Sequence, residues 1–147
     1  KNSLAGCDLR YANLTHTNLE ETDLSGANLG GVNLSESNLT GAFLKKADLR
    51  WSVLLGVAAV GSDFSDTGLL ESRLSFSNFT NADFSGSDLR RSDLTDAIFV
   101  STNFSQANLA RVDLSNAEIS GADFNGANTH GLKLPDDFSK CLDGKNG

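Results

Sequence analysis

Residues 22–41 read TDLSG-ANLGG-VNLSE-SNLTG, four units of five residues that each carry Leu at the third position. Stepping by five residues from Leu4 to Phe124 meets Leu, Phe or Ile at 24 of 25 positions, with Ala59 as the exception. The position two residues earlier holds a small side chain except at Asn2, and the residue between them is Asn or Asp in 17 of the 25 units. A repeat this regular determines the architecture and leaves little sequence free to encode chemistry.

A period of five residues fits neither common secondary structure. On an α-helix, a five-residue step rotates the side chain by about 140°, so the Leu column would wind around the axis. On a flat strand, five is odd, and successive Leu residues would point to opposite faces. Leu can face inward in every unit only if the chain turns a corner once per unit, and the Asn, Asp, Gly and Ser content suits such corners. The period therefore predicts a solenoid whose stacked units bury a continuous apolar column.

Several units match the consensus A(D/N)LXX, including ANLGG at residues 27–31, ADLRW at residues 47–51 and ANLAR at residues 107–111. On these motifs the chain resembles the pentapeptide-repeat family over roughly residues 2–128. The resemblance implies an all-β fold, a right-handed quadrilateral parallel β-helix of about six coils with four pentapeptides each. It also implies that the residue after the small one, and the last two of each unit, face solvent. At the usual strand spacing of ~4.8 Å the rod would be ~30 Å long.

The two ends of the chain differ in pattern. We predict a repeat domain at residues 1–128 and a C-terminal cap and tail at residues 129–147, because the Leu pattern stops at Thr129. Pro135 and the two acids after it suit the first turn of a helix, and Gly144 suits its end. The sequence therefore predicts a short capping helix over the open edge of the last coil.

Charge and composition limit the classes of partner and location. The 147 residues include 12 Lys and Arg against 19 Asp and Glu, a formal net charge of −7, which argues against direct nucleic-acid binding. No run approaches the ~18 apolar residues that a membrane span requires. The chain contains no Met, even at position 1, which indicates processing or trimming. The bacterial cytoplasm is the favoured location, and a secreted or organelle-lumen location is the alternative.

The sequence shows no catalytic constellation. Its two histidines, His16 and His130, lie at outward or terminal positions. No His, Cys, Asp and Glu set has metal-ligand spacing, and no glycine loop has the pattern that binds phosphate. The many Asp residues already have a structural reason in the repeat, so carboxylate pairs are poor evidence for acid–base catalysis. We predict a protein that is not an enzyme and that uses no cofactor or metal.

Two charged columns follow if residues 20 apart stack. The first column collects aspartates, against Lys45 and Lys46. Its candidate residues are Asp23, Asp63, Asp66, Asp83 and Asp123. The second column collects arginines, interleaved with acidic residues that pair most of its charge. These arginines are Arg10, Arg50, Arg90, Arg91 and Arg111, with Tyr11 and Trp51 beside them. A solvated ladder of weak ion pairs is the favoured interpretation, and an anion-binding stripe is the alternative.

The repeat departs most from its consensus between residues 43 and 76. Outward positions there hold large apolar side chains, which the 20-residue coil should bring together near one edge, between the second and third faces. These candidate residues are Trp51, Leu55, Leu70 and Phe76. A cluster of exposed apolar residues on a rod suggests a protein-contact surface. Local bulging that turns some of them inward, or self-association, are the alternatives.

Three functions stay open from the sequence. The favoured one is a non-enzymatic protein-interaction or scaffold module, with a protein partner of unknown identity and an unassigned biological role. The second is a DNA-mimicking inhibitor of gyrase, since some members of the resembled family match B-DNA in width and acidic surface, although the arginine column weakens a mimic. The third is the repeat domain of a larger secreted effector or organelle-lumen protein. A homodimer through an open solenoid end or the apolar cluster is compatible with the first.

Overall fold

The computed structural model of the protein describes residues 3–138. Parallel β-bridges join residues that are 20 positions apart, and each five-residue unit contributes one bridge residue rather than an extended strand. Six steps of 20 residues lead from Ser3 to Asp123. The chain is therefore a solenoid of 20-residue coils that stack in parallel along one axis, with the register that the five-residue period predicts.

Every unit between Gly6 and Gly131, except the one that ends at Asn116, ends at a corner where the backbone adopts a positive φ. The corner residues have φ between 51° and 71°, in the left-handed region that favours glycine. A short backbone bond closes each turn, as where the Ala27 N–H donates to the Leu24 carbonyl at 3.0 Å. One corner in every five residues gives each 20-residue coil four faces, which explains why the Leu column can point inward throughout.

We number the faces by their outward bridge residues, so the first face begins at Ser3, the second at Asp8, the third at Asn13 and the fourth at Asn18. The second corner joins the second and third faces. Its residues are Tyr11, Gly31, Trp51, Glu71, Arg91, Arg111 and Gly131. The third corner joins the third and fourth faces. Its residues are His16, Glu36, Gly56, Phe76 and Asp96.

The Leu, Phe and Ile column and the small side chains fill the inside of the coil. Phe rings stack from coil to coil in the second half of the chain, with centroids 4.8 Å apart for Phe64 and Phe84 and 5.5 Å apart for Phe84 and Phe104. Rings from the neighbouring face meet this stack edge-on, as Phe79 does at 5.1 Å from Phe84. Such aromatic pairs add about 0.5–1.5 kcal/mol each beyond their buried area.

The Asn or Asp of each unit supports its own corner. The side-chain oxygen accepts the N–H of the residue two positions later, at 3.0 Å from Asn38 to Thr40 and 2.9 Å from Asp63 to Ser65. This Asx turn gives the backbone a local partner. The preference for Asn and Asp in the sequence therefore has a structural cause that is independent of any chemistry.

The position after the Leu is less exposed than the resemblance implies. Ser65 and Ser75 are 6% and 3% exposed, and Gly30 is also buried. A small side chain directly before a corner lies close against the adjacent coil, whose backbone and side chains cover it. Corner residues such as Trp51 and Phe76 are exposed, at 52% and 67%.

The coil continues past residue 128, where the Leu pattern ends. Asp113 forms a parallel bridge with Lys133, and the Leu114 N–H donates to the Lys133 carbonyl at 2.8 Å. The backbone turn does not need Leu at position 129, because the Leu132 N–H still donates to the Thr129 carbonyl at 3.0 Å. A helical turn follows at residues 136–138, and the rest of the predicted capping helix, as far as Gly144, lies outside the described residues.

The backbone bonds between coils follow a fixed pattern that is interrupted on the third face. The N–H of a Leu-position residue donates to the carbonyl 19 residues later, as from Leu74 to Asp93 at 2.8 Å. Corner residues do the same, as from Glu71 to Arg90 at 3.1 Å. Within residues 3–138 this pattern lacks four consecutive bonds between two adjacent coils. Three of them would run from the N–H groups of Arg91, Leu94 and Asp96 to the carbonyls of Ala110, Asp113 and Ser115. The fourth is the return bond from the Asp113 N–H to the Ser92 carbonyl, 21 residues back, which the Asp93 N–H makes to Ser72 one coil earlier.

The interruption opens a gap between these two coils. Ser92 is half-buried and Thr95 is exposed, whereas Ser72 and Ser75, one coil earlier, are 1% and 3% exposed. Backbone N–H and carbonyl groups at the gap therefore lack the partners that their equivalents have in the neighbouring coils. Such groups bond to water or to a ligand when they are not paired within the chain.

We expect the Leu94 amide proton to exchange with solvent at least about tenfold faster than the Leu74 amide proton, because only the latter has a bond between coils. Residue-resolved hydrogen exchange at neutral pH measures this difference. Leu114, whose N–H donates to Lys133, is the matched control on the other side of the gap. Equal protection at the three Leu amides would show that the coils are joined there in solution.

Candidate functional site

Arg–Asp pairs line the second face at intervals of 40 residues. They are Asp8–Arg10, Asp48–Arg50 and Asp88–Arg90. In each pair the guanidinium donates from Nε and Nη2 to the two carboxylate oxygens, at distances between 2.6 and 2.9 Å. The hydrogen bond from Arg50 lowers the pKa of the Asp48 carboxyl, and that from Arg90 lowers the pKa of Asp88. The arginine column is thus largely paired, as the sequence predicts, and its exposed pairs stabilise the fold only weakly.

Small residues occupy the coils between these pairs. A Cβ built on Gly30 would lie 3.9 Å from Cγ of Arg10, and one built on Gly68 would lie 3.6 Å from Cγ of Arg50. The Cγ atoms of Arg10 and Arg50 therefore lie against these glycines of the next coil.

Trp51 and Leu70 meet at the second corner. The Trp51 N–H donates to the Leu70 carbonyl at 3.0 Å, which places the two residues on adjacent coils. Trp51 is 52% exposed, and Leu70 is half-buried beside it. The Arg50 guanidinium lies 5.1 Å from the centroid of the Trp51 ring, within the range of a cation–π contact.

Leu55 and Phe76 lie at the third corner, so the four apolar candidates do not converge on one edge as expected. The Gly56 N–H donates to the Ser75 carbonyl at 3.1 Å, so Leu55 and Phe76, which adjoin these two residues in sequence, lie on adjacent coils near this corner. The five-residue period is the reason. Leu55 and Phe76 lie one unit further along the coil than the columns that contain Leu70 and Trp51, and one unit is the distance from the second corner to the third. Phe76 is 67% exposed and Leu55 is half-buried. The structure therefore divides the predicted surface into two pairs on either side of the third face.

The acidic column is discontinuous. Four of its five candidates share the first face, where Phe43 and Asn103 interrupt them. These four are Asp23, Asp63, Asp83 and Asp123, and the fifth, Asp66, lies at the corner between the first and second faces. Each of the four carboxylates accepts the backbone N–H two residues later, at 2.8–3.0 Å. The bond from the Ser25 N–H lowers the pKa of Asp23. These aspartates therefore stabilise the turns of their own units.

A surface pocket of about 390 Å³ lies at the second corner, beside the gap in the ladder. Its lining residues are Leu70, Arg90, Arg91, Ala110 and Arg111. Arg91 Nη1 donates to Glu71 Oε1 at 2.9 Å, and Arg90 pairs with Asp88. Arg111 forms no ion pair within residues 3–138. The sequence places these arginines in one column, but it does not reveal the pocket, because the gap leaves no mark on the five-residue pattern.

Other features of the described chain add no chemistry to this corner. Cys7 is a free, half-buried thiol at an inward small position, and Cys141 lies outside the described residues. Among residues 3–138, no group of three His, Cys, Asp or Glu side chains is arranged to hold a metal ion. In the same part of the chain, no helix has the length and apolar character needed to cross a bilayer.

The profile described as "Pentapeptide repeats (8 copies)" matches residues 3–41, 18–56, 33–67, 60–96 and 97–128. The chain belongs to the pentapeptide-repeat family. Proteins of this family generally serve as non-enzymatic structural or interaction modules. No curated protein matches this pentapeptide-repeat chain.

Solved structures of other pentapeptide-repeat proteins share its fold. HetL, which is involved in heterocyst differentiation regulation in the cyanobacterium Nostoc sp. strain PCC 7120, is 19% identical with a TM-score of 0.51, over 89% of this chain and 90% of HetL. Rfr23 from the cyanobacterium Cyanothece 51142 is 20% identical with a TM-score of 0.53, over 90% of each chain. A trypsin-treated variant of QnrB1, a plasmid-mediated fluoroquinolone resistance protein, is 14% identical over 96% of each chain, with a TM-score of 0.48. The likenesses to HetL and Rfr23 bear on the fold and on no particular function.

Proposed function

We propose that this pentapeptide-repeat protein is a non-enzymatic scaffold or interaction module that binds a protein partner through the second corner, at Trp51 and Leu70. We also propose that the coil is right-handed and quadrilateral, as membership of the family implies. The observation that carries it is the position of Trp51, whose ring is half exposed on a backbone with φ of 59°.

The left-handed backbone at Trp51 is energetically unfavourable, and the half-exposed side chain contributes little to the stability of the fold. A left-handed backbone costs a non-glycine residue about 1–2 kcal/mol, and Gly31 and Gly131 occupy the same corner in other coils. Fifteen non-glycine corner residues share a positive φ, so the exposed large apolar side chain is what distinguishes Trp51, and such exposed apolar surface is typical of contact sites. Trp is also enriched among the residues that dominate binding energy in protein interfaces. Phe76 has the same character at the third corner, with φ of 61°, so the Leu55–Phe76 pair is a proposed second contact.

We expect Trp51→Gly to weaken partner binding by at least about tenfold while the free energy of unfolding stays equal or rises by up to about 1 kcal/mol. A photo-crosslinking amino acid at position 51, in cells that make the protein, identifies the partner by mass spectrometry. Binding of the purified partner to the Trp51→Gly variant and urea unfolding of the free variant then measure the two effects separately.

The control is Asn81→Gly, which removes an exposed side chain with φ of 59° at the opposite corner, between the fourth and first faces. This variant should bind the partner as the native chain does. Crosslinks that are the same from positions 51 and 81, or binding that survives Trp51→Gly, would contradict the proposal.

The alternative of a DNA-mimicking gyrase inhibitor has weaker support. Phe43 and Asn103 interrupt the acidic column, and Arg–Asp pairs occupy the adjacent face. A mimic needs a continuous negative potential along its length, which these features reduce.

The remaining alternative, a repeat domain within a larger secreted effector or organelle-lumen protein, is compatible with partner binding at the second corner.

A further inference from the structure

We propose that the pocket bounded by Arg90, Arg91 and Arg111 binds a carboxylate from an acidic peptide segment of the protein partner. Leu70 and Trp51 would contact an apolar side chain next to that carboxylate. This inference rests on the proposed function, since it assigns a chemistry of recognition to the same corner of the coil.

The pocket carries a local positive charge on an acidic chain. Three guanidinium groups meet two carboxylates, since Arg90 pairs with Asp88 and Arg91 pairs with Glu71, and the difference is one positive charge. That charge belongs to Arg111, which forms no ion pair in the described part of the chain. The whole chain carries a formal charge of −7, so this corner departs from the field around it.

The backbone of one lining residue leaves an N–H without a partner among the described residues. The Arg111 N–H donates to the His130 carbonyl at 2.8 Å, which holds the backbone below its guanidinium in place. By contrast, the Arg91 N–H lacks the bond to the Ala110 carbonyl that the repeat pattern provides elsewhere within residues 3–138. A guanidinium with an unpaired backbone N–H nearby suits carboxylate oxygens, which form their strongest hydrogen bonds with charged donors.

The surroundings favour a short acidic peptide over a polyanion. The pocket of about 390 Å³ is of the size that holds a small ligand or a short peptide segment, and Leu70 gives it an apolar wall. The Trp51 N–H bond to the Leu70 carbonyl places the exposed Trp51 on the adjacent coil beside this wall. A nucleic acid would instead extend its phosphates along a chain of net charge −7, where repulsion opposes binding. A carboxylate beside an apolar side chain matches both parts of the surface.

Selection of phage-displayed heptapeptides against the intact chain tests this inference. We expect enriched peptides to place Asp or Glu next to Leu, Ile, Phe or Trp. A selected peptide, synthesised with an amidated and with a free C-terminus, should bind in calorimetry and weaken as NaCl is raised. Binding by both forms supports a side-chain carboxylate as the ligand, and binding by the free acid alone supports a terminal carboxylate.

Arg111→Gln should weaken this peptide by at least tenfold, and Arg111→Glu should weaken it further. Arg73→Gln is the matched control, because Arg73 is an exposed arginine on the third face that does not line the pocket. Urea unfolding checks that the three variants keep the native fold. An expected result is loss of binding in both Arg111 variants with native binding in the Arg73 variant.

Enriched peptides without acidic residues, or acidic peptides that bind Arg111→Gln as tightly as the native chain, would overturn the inference. So would binding of a dodecameric oligothymidine through Arg111 when no acidic peptide is selected, since the ligand would then be a nucleic acid. If Trp51→Gly abolishes partner binding and Arg111→Gln leaves it unchanged, the proposed function stands and this inference fails. If peptide binding needs Arg111 but no partner contacts Trp51, the carboxylate pocket stands and the proposed function fails.

Discussion

Replacing Phe84 with Ala will lower the free energy of unfolding by about 3–5 kcal/mol, the cost of removing a large buried side chain and leaving a cavity. Phe84 is fully buried, and its ring contacts more rings than any other Phe among residues 3–138. The partners and centroid distances are Phe64 at 4.8 Å, Phe79 at 5.1 Å, Phe104 at 5.5 Å and Phe99 at 6.0 Å. Urea unfolding followed by circular dichroism measures the loss.

Phe84→Leu is the control for this effect. Leu24 and Leu44 occupy the same position in earlier coils and are fully buried there, so the coil geometry accepts Leu without rearrangement. We expect Phe84→Leu to cost no more than about 1.5 kcal/mol, because most of the apolar volume is kept. If the Ala and Leu variants lost the same small amount, the coils would be closing around the vacated space, and the aromatic stack would contribute little to stability.

The register of the coil could be predicted from the sequence because every unit repeats the same physical constraint. Leu inward, a small residue two positions earlier and Asn or Asp between them leave one arrangement in which corners recur every fifth residue. The parallel bridges between residues 20 apart follow from it. The boundary at residue 128 was less predictable, since the turn that contains Thr129 is closed by backbone bonds that need no Leu side chain.

The candidate site could be predicted only in part. The pairing of the arginine column follows from Asp and Arg two residues apart on one side of a unit, and the structure contains these pairs. The sequence did not predict the division of the apolar cluster between two corners. Leu55 and Phe76 lie one five-residue unit further along the coil than the columns of Leu70 and Trp51, and every unit has the same pattern, so the pattern does not distinguish one corner from the next. The gap beside Leu94 has no signal in the repeat at all, since residues 91–116 keep their five-residue period.

Ala47→Leu will lower the free energy of unfolding by about 1–3 kcal/mol, since it adds three carbons where the coil has no room for them. Ala47 is 2% exposed at an inward small position, and its N–H donates to the Leu44 carbonyl at 2.9 Å, so the backbone there cannot shift without breaking the turn. The measurement is the urea midpoint of the purified variant against that of the native chain.

Ala47→Ser separates size from polarity at this position. Thr67 stands one coil further along the same column, and its hydroxyl donates to the Phe64 carbonyl at 2.7 Å. A Ser at position 47 can donate to the Leu44 carbonyl in the same way, so we expect a change within about 1 kcal/mol. If Ala47→Leu proved as stable as Ala47→Ser, the space beside the Leu column would not be full. Loss in the Leu variant alone would show that volume, and not apolarity, restricts these positions to small residues and leaves the outward corners as the places where the chain can vary its binding chemistry.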